Sequence, residues 1–145
     1  MRFALLLTVV VSAVALVGCG GEDRLSQAEF QQRANAVCKK YNDRIAAIGD
    51  PTSPAVVPEY VDKGIPLIEQ GLSELRDLKP PEDLEDDYNR MLDATEDGIP
   101  AIRKLGEAVA AEDAVAVQEA LQEVRRVSTT SNQLATTLGL DTCAV

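Results

Sequence analysis

The sequence predicts an all-α protein, an antiparallel up-down four-helix bundle with kinked second and third helices. Three observations carry that reading. Four stretches repeat apolar residues at spacings of three and four, the period of one buried helical face. Short breaks separate them, and short connections place consecutive helices antiparallel. The apolar content is aliphatic, 46% hydrophobic against 3% aromatic residues, a mixture that favours helix over strand. A chain of 145 residues suggests a single domain.

The first helix opens on Ser26 and Glu29, a capping-box spacing, with Leu25 and Phe30 placed as a hydrophobic staple around it. Its stripe is Phe30, Ala34, Val37, Tyr41, Ile45 and Ile48, and Gly49-Asp50-Pro51 stops it. The second helix is expected to start near Ser53-Pro54, a cap followed by proline in the first turn. Val57, Val61, Ile65, Ile68, Leu72, Leu75 and Leu78 form its face, and Pro80-Pro81 ends it. The third begins at about Glu82 and carries Leu84, Tyr88, Met91, Thr95, Ile99, Ile102, Leu105 and Val109. The fourth begins near Asp113 with Val117, Leu121, Val124, Leu134 and Leu138. Gly139 reads as its left-handed cap, and Leu140 is placed to fold back on the last turn.

Charge and composition exclude several functions. Twenty-four acidic against fourteen basic residues give a formal charge of −10. A phosphate-binding surface needs clustered Lys and Arg, so nucleic acid is not an expected partner, nor is an electrostatic patch for anionic lipid. The chain has no His, which removes the commonest general base and the commonest transition-metal ligand. It has no Glu-x-x-His pair for a di-iron centre, no Cys-x-x-Cys-His for haem, no Gly-rich phosphate loop and no nucleophile elbow. Neither a cofactor nor a resident metal is expected, and the reading is non-enzymatic. The acidic run Glu82, Asp83, Glu85, Asp86 and Asp87 lacks the Asp-x-Asp-x-Asp-Gly order of a calcium loop. It sits where negative charge complements a helix dipole. Ser128, Thr129, Thr130 and Ser131 bring hydroxyls without a base, and such groups in a helix tend to bond back to their own carbonyls.

The N-terminus reads as a processing signal. Arg2 supplies a positive charge, and an almost wholly apolar run follows from Phe3 to Val17, short of the roughly 20 residues that span a bilayer. Leu16-Val17-Gly18-Cys19 resembles the lipobox of bacterial lipoproteins. The resemblance implies a diacylglyceryl group on the Cys19 thiol and cleavage before it. The alternatives are an ordinary export signal with an incidental Cys, or an uncleaved anchor. The organisation that follows is a signal peptide over 1–18, a tether over 19–25 and a helical domain over 26–145. The expected place is the extracytoplasmic face of the cell membrane, lipid-anchored through Cys19.

With Cys19 assigned to lipid, Cys38 and Cys143 remain, and an even pair outside the cytoplasm reads as a disulfide; two buried free thiols are the alternative. Cys38 lies about twelve residues into the first helix, roughly 18 Å along it. The tail from Gly139 to Cys143 is therefore expected to turn back along that helix, or else the bundle is skewed. Ala34-Asn35-Ala36-Val37-Cys38, Leu78-Lys79-Pro80-Pro81-Glu82-Asp83-Leu84 and Leu138-Gly139-Leu140-Asp141-Thr142-Cys143-Ala144 resemble landmarks of small exported helical proteins of actinobacteria. That likeness implies a helical domain with a paired Cys and supplies no activity.

One internal echo stands out: Gly64-Ile65-Pro66-Leu67-Ile68 against Gly98-Ile99-Pro100-Ala101-Ile102. A mid-helix proline removes a hydrogen bond and clashes with the carbonyl four residues back, which predicts a kink in each helix. The two glycines stand at similar distances from Pro80-Pro81, so an antiparallel pair would bring them to one level. Gly64, Pro66, Gly98 and Pro100 are accordingly the candidate ligand-site residues, with the freed carbonyls of Asp62 and Glu96; the other reading is matched kinks around a shared core. Two roles follow as expectations. The first is a non-catalytic lipoprotein whose bundle meets a protein partner or serves as an accessory module at the envelope. The second is a small-ligand or lipid-binding module, for which an apolar cavity between the helices would speak.

Overall fold

The computed structural model describes residues 24–144; Cys19 and the rest of the lipobox lie outside them. Among the described residues the regular structure is entirely helical, in four long helices: α1 (Gln27–Ala46), α2 (Val57–Arg76), α3 (Glu85–Ala110) and α4 (Ala114–Thr137). They pack as a bundle, and paired side chains fix the register of each antiparallel neighbour. Tyr41 meets Glu74 while Arg44 meets Gln70 between α1 and α2. Between α2 and α3, Tyr88 meets Leu75 and Gly106 stands against Val61. Thr95 meets Ser131 and Gly98 stands against Val127 between α3 and α4.

The helix starts follow local chemistry with two exceptions. The Ser26–Glu29 capping box is formed in both directions, and Asp113 caps α4 by accepting from the amides of Val115 and Ala116. The second and third helices instead enter through single 3-10 turns, Pro54–Val56 and Glu82–Leu84, and Ser53 makes no side-chain cap bond. Proline in the first turn presets the backbone dihedral that such a turn requires. The first helix ends at Ala46, earlier than the apolar stripe implied, because Gly49 takes up a φ of 86° and turns the chain out. Pro66 and Pro100 both lie exposed inside helices that continue through them.

The core runs through the bundle as one cluster around Phe30, Tyr88, Leu92, Leu138 and Leu140. Phe30 and Tyr88 meet edge to face at 4.8 Å, and the Tyr88 hydroxyl donates to the Leu75 carbonyl at 2.7 Å. Burial raises the pKa of that phenol well above its ordinary value, so it serves as a fixed neutral donor. On α4 the buried positions are Ala120, Val127, Ser131 and Ala135; the expected Leu138 is buried at its C-cap, while the expected Val117, Leu121, Val124 and Leu134 are half-buried. A stripe read from large side chains is rotated here. α4 lies against α3 as the most closely packed pair of helices, and small residues are what permit that approach.

The C-terminus closes the fold as the cap geometry anticipates. Gly139 has a φ of 72°, its amide donates to the Thr136 carbonyl, and the Leu140 amide reaches Ala135 at 2.8 Å, a full Schellman motif. The tail then runs back along α1 on a row of amide side chains. Gln31 donates to the Leu138 carbonyl (2.9 Å) and Asn35 to the Gly139 carbonyl (3.1 Å). The Asn35 oxygen accepts from the Thr142 amide (2.9 Å), and Asn42 donates to the Thr142 carbonyl (2.8 Å). These residues recur about every third to fourth position, one edge of a helix. Within that row Cys38 and Cys143 stand at disulfide-bonding distance, their Cα atoms 5.1 Å apart. Gly139→Ala should cost about 1–2 kcal/mol for the left-handed backbone alone. Its Cβ would also be driven into the Gln31 amide that holds Leu138. Chemical denaturation of the two proteins measures the difference, and an unchanged midpoint would show that the cap is dispensable.

The chain ahead of α1 is also fixed. The Leu25 amide donates to the Lys79 carbonyl at 2.9 Å, and Arg24 reaches both the Pro80 carbonyl and the Glu85 carboxylate. Residues Arg24 and Leu25, at the end of the stretch read as a tether, therefore rest on the connection between α2 and α3.

Candidate functional site

The four helices do not close evenly. α1 packs along α2, where Tyr41 fills the space beside Gly71; a Cβ on Gly71 would stand 3.2 Å from the ring. The α2–α3 and α3–α4 seams are drawn together in the same way, by Gly106 against Val61 and Gly98 against Val127. Between α1 and α4 no two Cα atoms come within 8 Å. The strip of tail from Leu138 to Cys143, bonded to α1, bridges that side.

The consequence is a cavity of about 240 Å³ at mid-height, bordered by all four helices and by Cys143 of the tail. Its apolar wall comes from α2 and α3, with Leu72, Leu75 and Met91 buried behind it. Nearer solvent stand the half-buried aliphatics Val37, Ile45, Ile68, Ile102 and Val124. Side chains of this kind gain about 25 cal/mol for each square ångström removed from water, and a filled cavity would supply the cover they lack. Among the described residues no charged side chain lines it.

The polar groups gather mainly on α4. Thr95 of α3 donates to its own Met91 carbonyl (2.9 Å), which leaves its oxygen to accept from Ser131 at 2.7 Å. One turn earlier, the half-buried Ser128 makes no hydrogen bond among the described residues. Asn132 adds an amide beside it. Across the cavity on α1, Asn42 spends its nitrogen on the tail, and its oxygen accepts nothing among the described residues. Tyr41 offers its ring to the cavity while its hydroxyl turns to the surface and donates to Glu74 at 2.7 Å. Lys40 bonds the same carboxylate, which lowers the Glu74 pKa below the usual carboxylate range and raises that of Lys40.

Of the four candidate ligand-site residues Gly64, Pro66, Gly98 and Pro100, Gly98 alone borders this cavity. Gly64 is buried but faces no side chain of α3; a Cβ there would meet nothing within 4 Å, so the expected close approach of Gly64 and Gly98 is not formed. Pro66 and Pro100 lie on the solvent side with Asp62 and Glu96, away from the cavity. Their ring geometry explains this placement, because a mid-helix proline is tolerated best where water can take the freed carbonyl. Gly71 and Asn42 were missed. The signal for Asn42 was present in the row Gln31, Asn35, Cys38, Asn42, a polar edge beside the apolar stripe of α1.

The hydroxyl cluster behaves as anticipated in part: Thr129 and Thr130 donate to the carbonyls of Arg125 and Arg126, whereas Ser131 bonds across to α3. The acidic run is absorbed at the surface, Glu85 by Arg24 and Asp87 by Arg90. Among the described residues no group of three or more Cys, Asp or Glu side chains could hold a metal ion. Nor is any described helix long and apolar enough to cross a membrane. A second hollow, of about 410 Å³ between the far ends of α3 and α4, is lined by alanines and by the charged Lys104, Glu107, Asp113, Glu119 and Glu123. Comparison with known proteins returns no matching family model, no matching curated protein and no matching solved structure.

Proposed function

We propose that this protein is an envelope lipoprotein, anchored through Cys19, whose helical bundle is a non-catalytic binding module for a small, largely apolar ligand held between α1 and α4. The observation that carries the reading is the cavity of about 240 Å³, apolar on its α2–α3 wall and bordered by five half-buried aliphatic side chains. Ligand sites are concave, mostly apolar and furnished with a few placed polar groups, and this cavity has that make-up. A protein-docking role draws less support from the same surface. The large hydrophobic residues exposed among the described residues are Val56 and Val115, single side chains rather than a patch. The lipobox resemblance supports the address, and the absence of His and of a base beside the α4 hydroxyls supports a role without catalysis.

Photoaffinity labelling of the full chain in its own membrane tests the binding role. A small apolar diazirine probe should label the α1 and α4 segments that border the cavity, and excess unlabelled competitor should suppress the signal. Ala94→Leu, which places a larger side chain at the cavity wall, should reduce the labelling several-fold without lowering the unfolding temperature. Labelling that is equal in both proteins, or confined to outward faces, would remove the cavity from consideration.

A further inference from the structure

The chemistry of the cavity wall restricts what it would hold. We infer that the ligand is an uncharged amphiphile of about ten non-hydrogen atoms, a single short chain or one fused ring pair bearing a hydroxyl or an equivalent neutral polar group. The inference rests on the binding role proposed above and adds its class of ligand.

Three observations lead there. The first is size. An apolar cavity of about 150 Å³ takes up benzene, so about 240 Å³ scales to about ten heavy atoms. A sixteen-carbon acyl chain does not fit within that volume. The second is charge. Among the described residues no Lys, Arg, Asp or Glu lines the cavity, and the nearby Lys40 and Glu74 are paired with each other at 2.6 Å on the outer side of α1 and α2. An ionised carboxylate or ammonium moved onto this wall would lose its water and find no counter-charge, a cost that a neutral hydroxyl escapes.

The third is the distribution of polar atoms. The α2 wall offers only hydrocarbon, in Ile68, Leu72 and Leu75. On α4 the Ser128 hydroxyl has no partner among the described residues, and opposite it the Asn42 oxygen accepts nothing. A neutral hydroxyl can donate to one and accept from the other, whereas a plain hydrocarbon would cover both and leave them unsatisfied. The ligand is thereby oriented, with its polar group toward the opening between α1 and α4 and its hydrocarbon against α2.

The test uses four clickable diazirine probes of matched eight-carbon length, applied to the full chain in its membrane: a hydrocarbon, a primary alcohol, a carboxylate and a primary amine. The alcohol should label the cavity-lining peptides of α1 and α4 at a concentration at least tenfold below that needed by the carboxylate or the amine. It should also lead the hydrocarbon by severalfold. Ser128→Ala should bring alcohol and hydrocarbon close to parity, by lowering alcohol labelling and by raising hydrocarbon labelling once no hydroxyl is covered unsatisfied. A carboxylate or amine that labels as well as the alcohol would overturn the neutral class. So would an alcohol preference that survives Ser128→Ala, or equal labelling by a sixteen-carbon alcohol. If no probe labels these peptides, the binding role itself falls, and the ligand class with it. Hydrocarbon labelling without an alcohol preference would leave the binding role standing and overturn only the class.

Discussion

Cys143→Ser should lower the unfolding free energy by about 4–5 kcal/mol, the largest single loss expected for any side chain here. The two cysteines are separated by 105 positions, and closing a loop of about 100 residues removes about 4.7 kcal/mol of entropy from the unfolded chain in the loop-closure model. Against a total of about 5–15 kcal/mol for a domain of this kind, that is a large share. Denaturant unfolding in the presence and absence of a thiol reductant measures it directly. Cys38→Ser, Cys143→Ser and the double variant should coincide, because all three remove the same bond. Native tail docking should outlast the substitution, since the Gln31, Asn35 and Asn42 bonds to the tail do not involve sulfur. A wild type whose midpoint ignores the reductant would show that the pair is not bonded in solution.

Cys19→Ala should move the protein almost completely from the membrane fraction to the soluble one and abolish labelling by radioactive fatty acid. A single acyl chain gives only marginal attachment, whereas the two chains of a diacylglyceryl group hold firmly, so the change is close to all or none. Among the described residues, no helix offers a second means of spanning the bilayer. Undiminished membrane retention of the variant would defeat the anchor, and retention with loss of lipid label would point to an uncleaved N-terminal segment instead. The cavity predictions are independent of this result, because they concern residues from Val37 onward.

What could be read from residues alone was governed by the range of the interactions. The caps at Ser26 and Gly139 depend on three or four neighbouring residues, and each is formed as the local spacing implies; Asp113, read as the start of the fourth helix, caps it. A length argument left two routes for Cys143 to reach Cys38, a tail running back along α1 or a skewed bundle, and the tail takes the first. The face of α4 was not. Its burial is decided by how closely α3 approaches, and Ala120, Ser131 and Ala135 announce nothing in a search for large apolar residues. The cavity was legible only as a possibility, and of the residues named for it Gly98 stands at its border. The Gly-Ile-Pro echo drew attention to α2 and α3, while the space arises because α1 and α4 stand apart. A gap between two elements distant in sequence leaves no local pattern. Its one trace, the polar row along α1, belongs to the tail that bridges it.

The placement of Cys38 within α1 also divides the chain mechanically. Everything from Cys38 to Cys143 forms a closed ring of covalent bonds that takes in α2, α3 and α4. Tension arriving from the N-terminal side meets Arg24 and Leu25 on the α2–α3 connection, then the first turns of α1, and then the ring. A pull of that kind can peel away only the stretch before Cys38. Beyond it the load passes through sulfur to the tail and cannot extend α2, α3 or α4. Under the anchorage through Cys19 proposed above, a pulled domain would yield a short leash and keep α2, α3 and α4 intact.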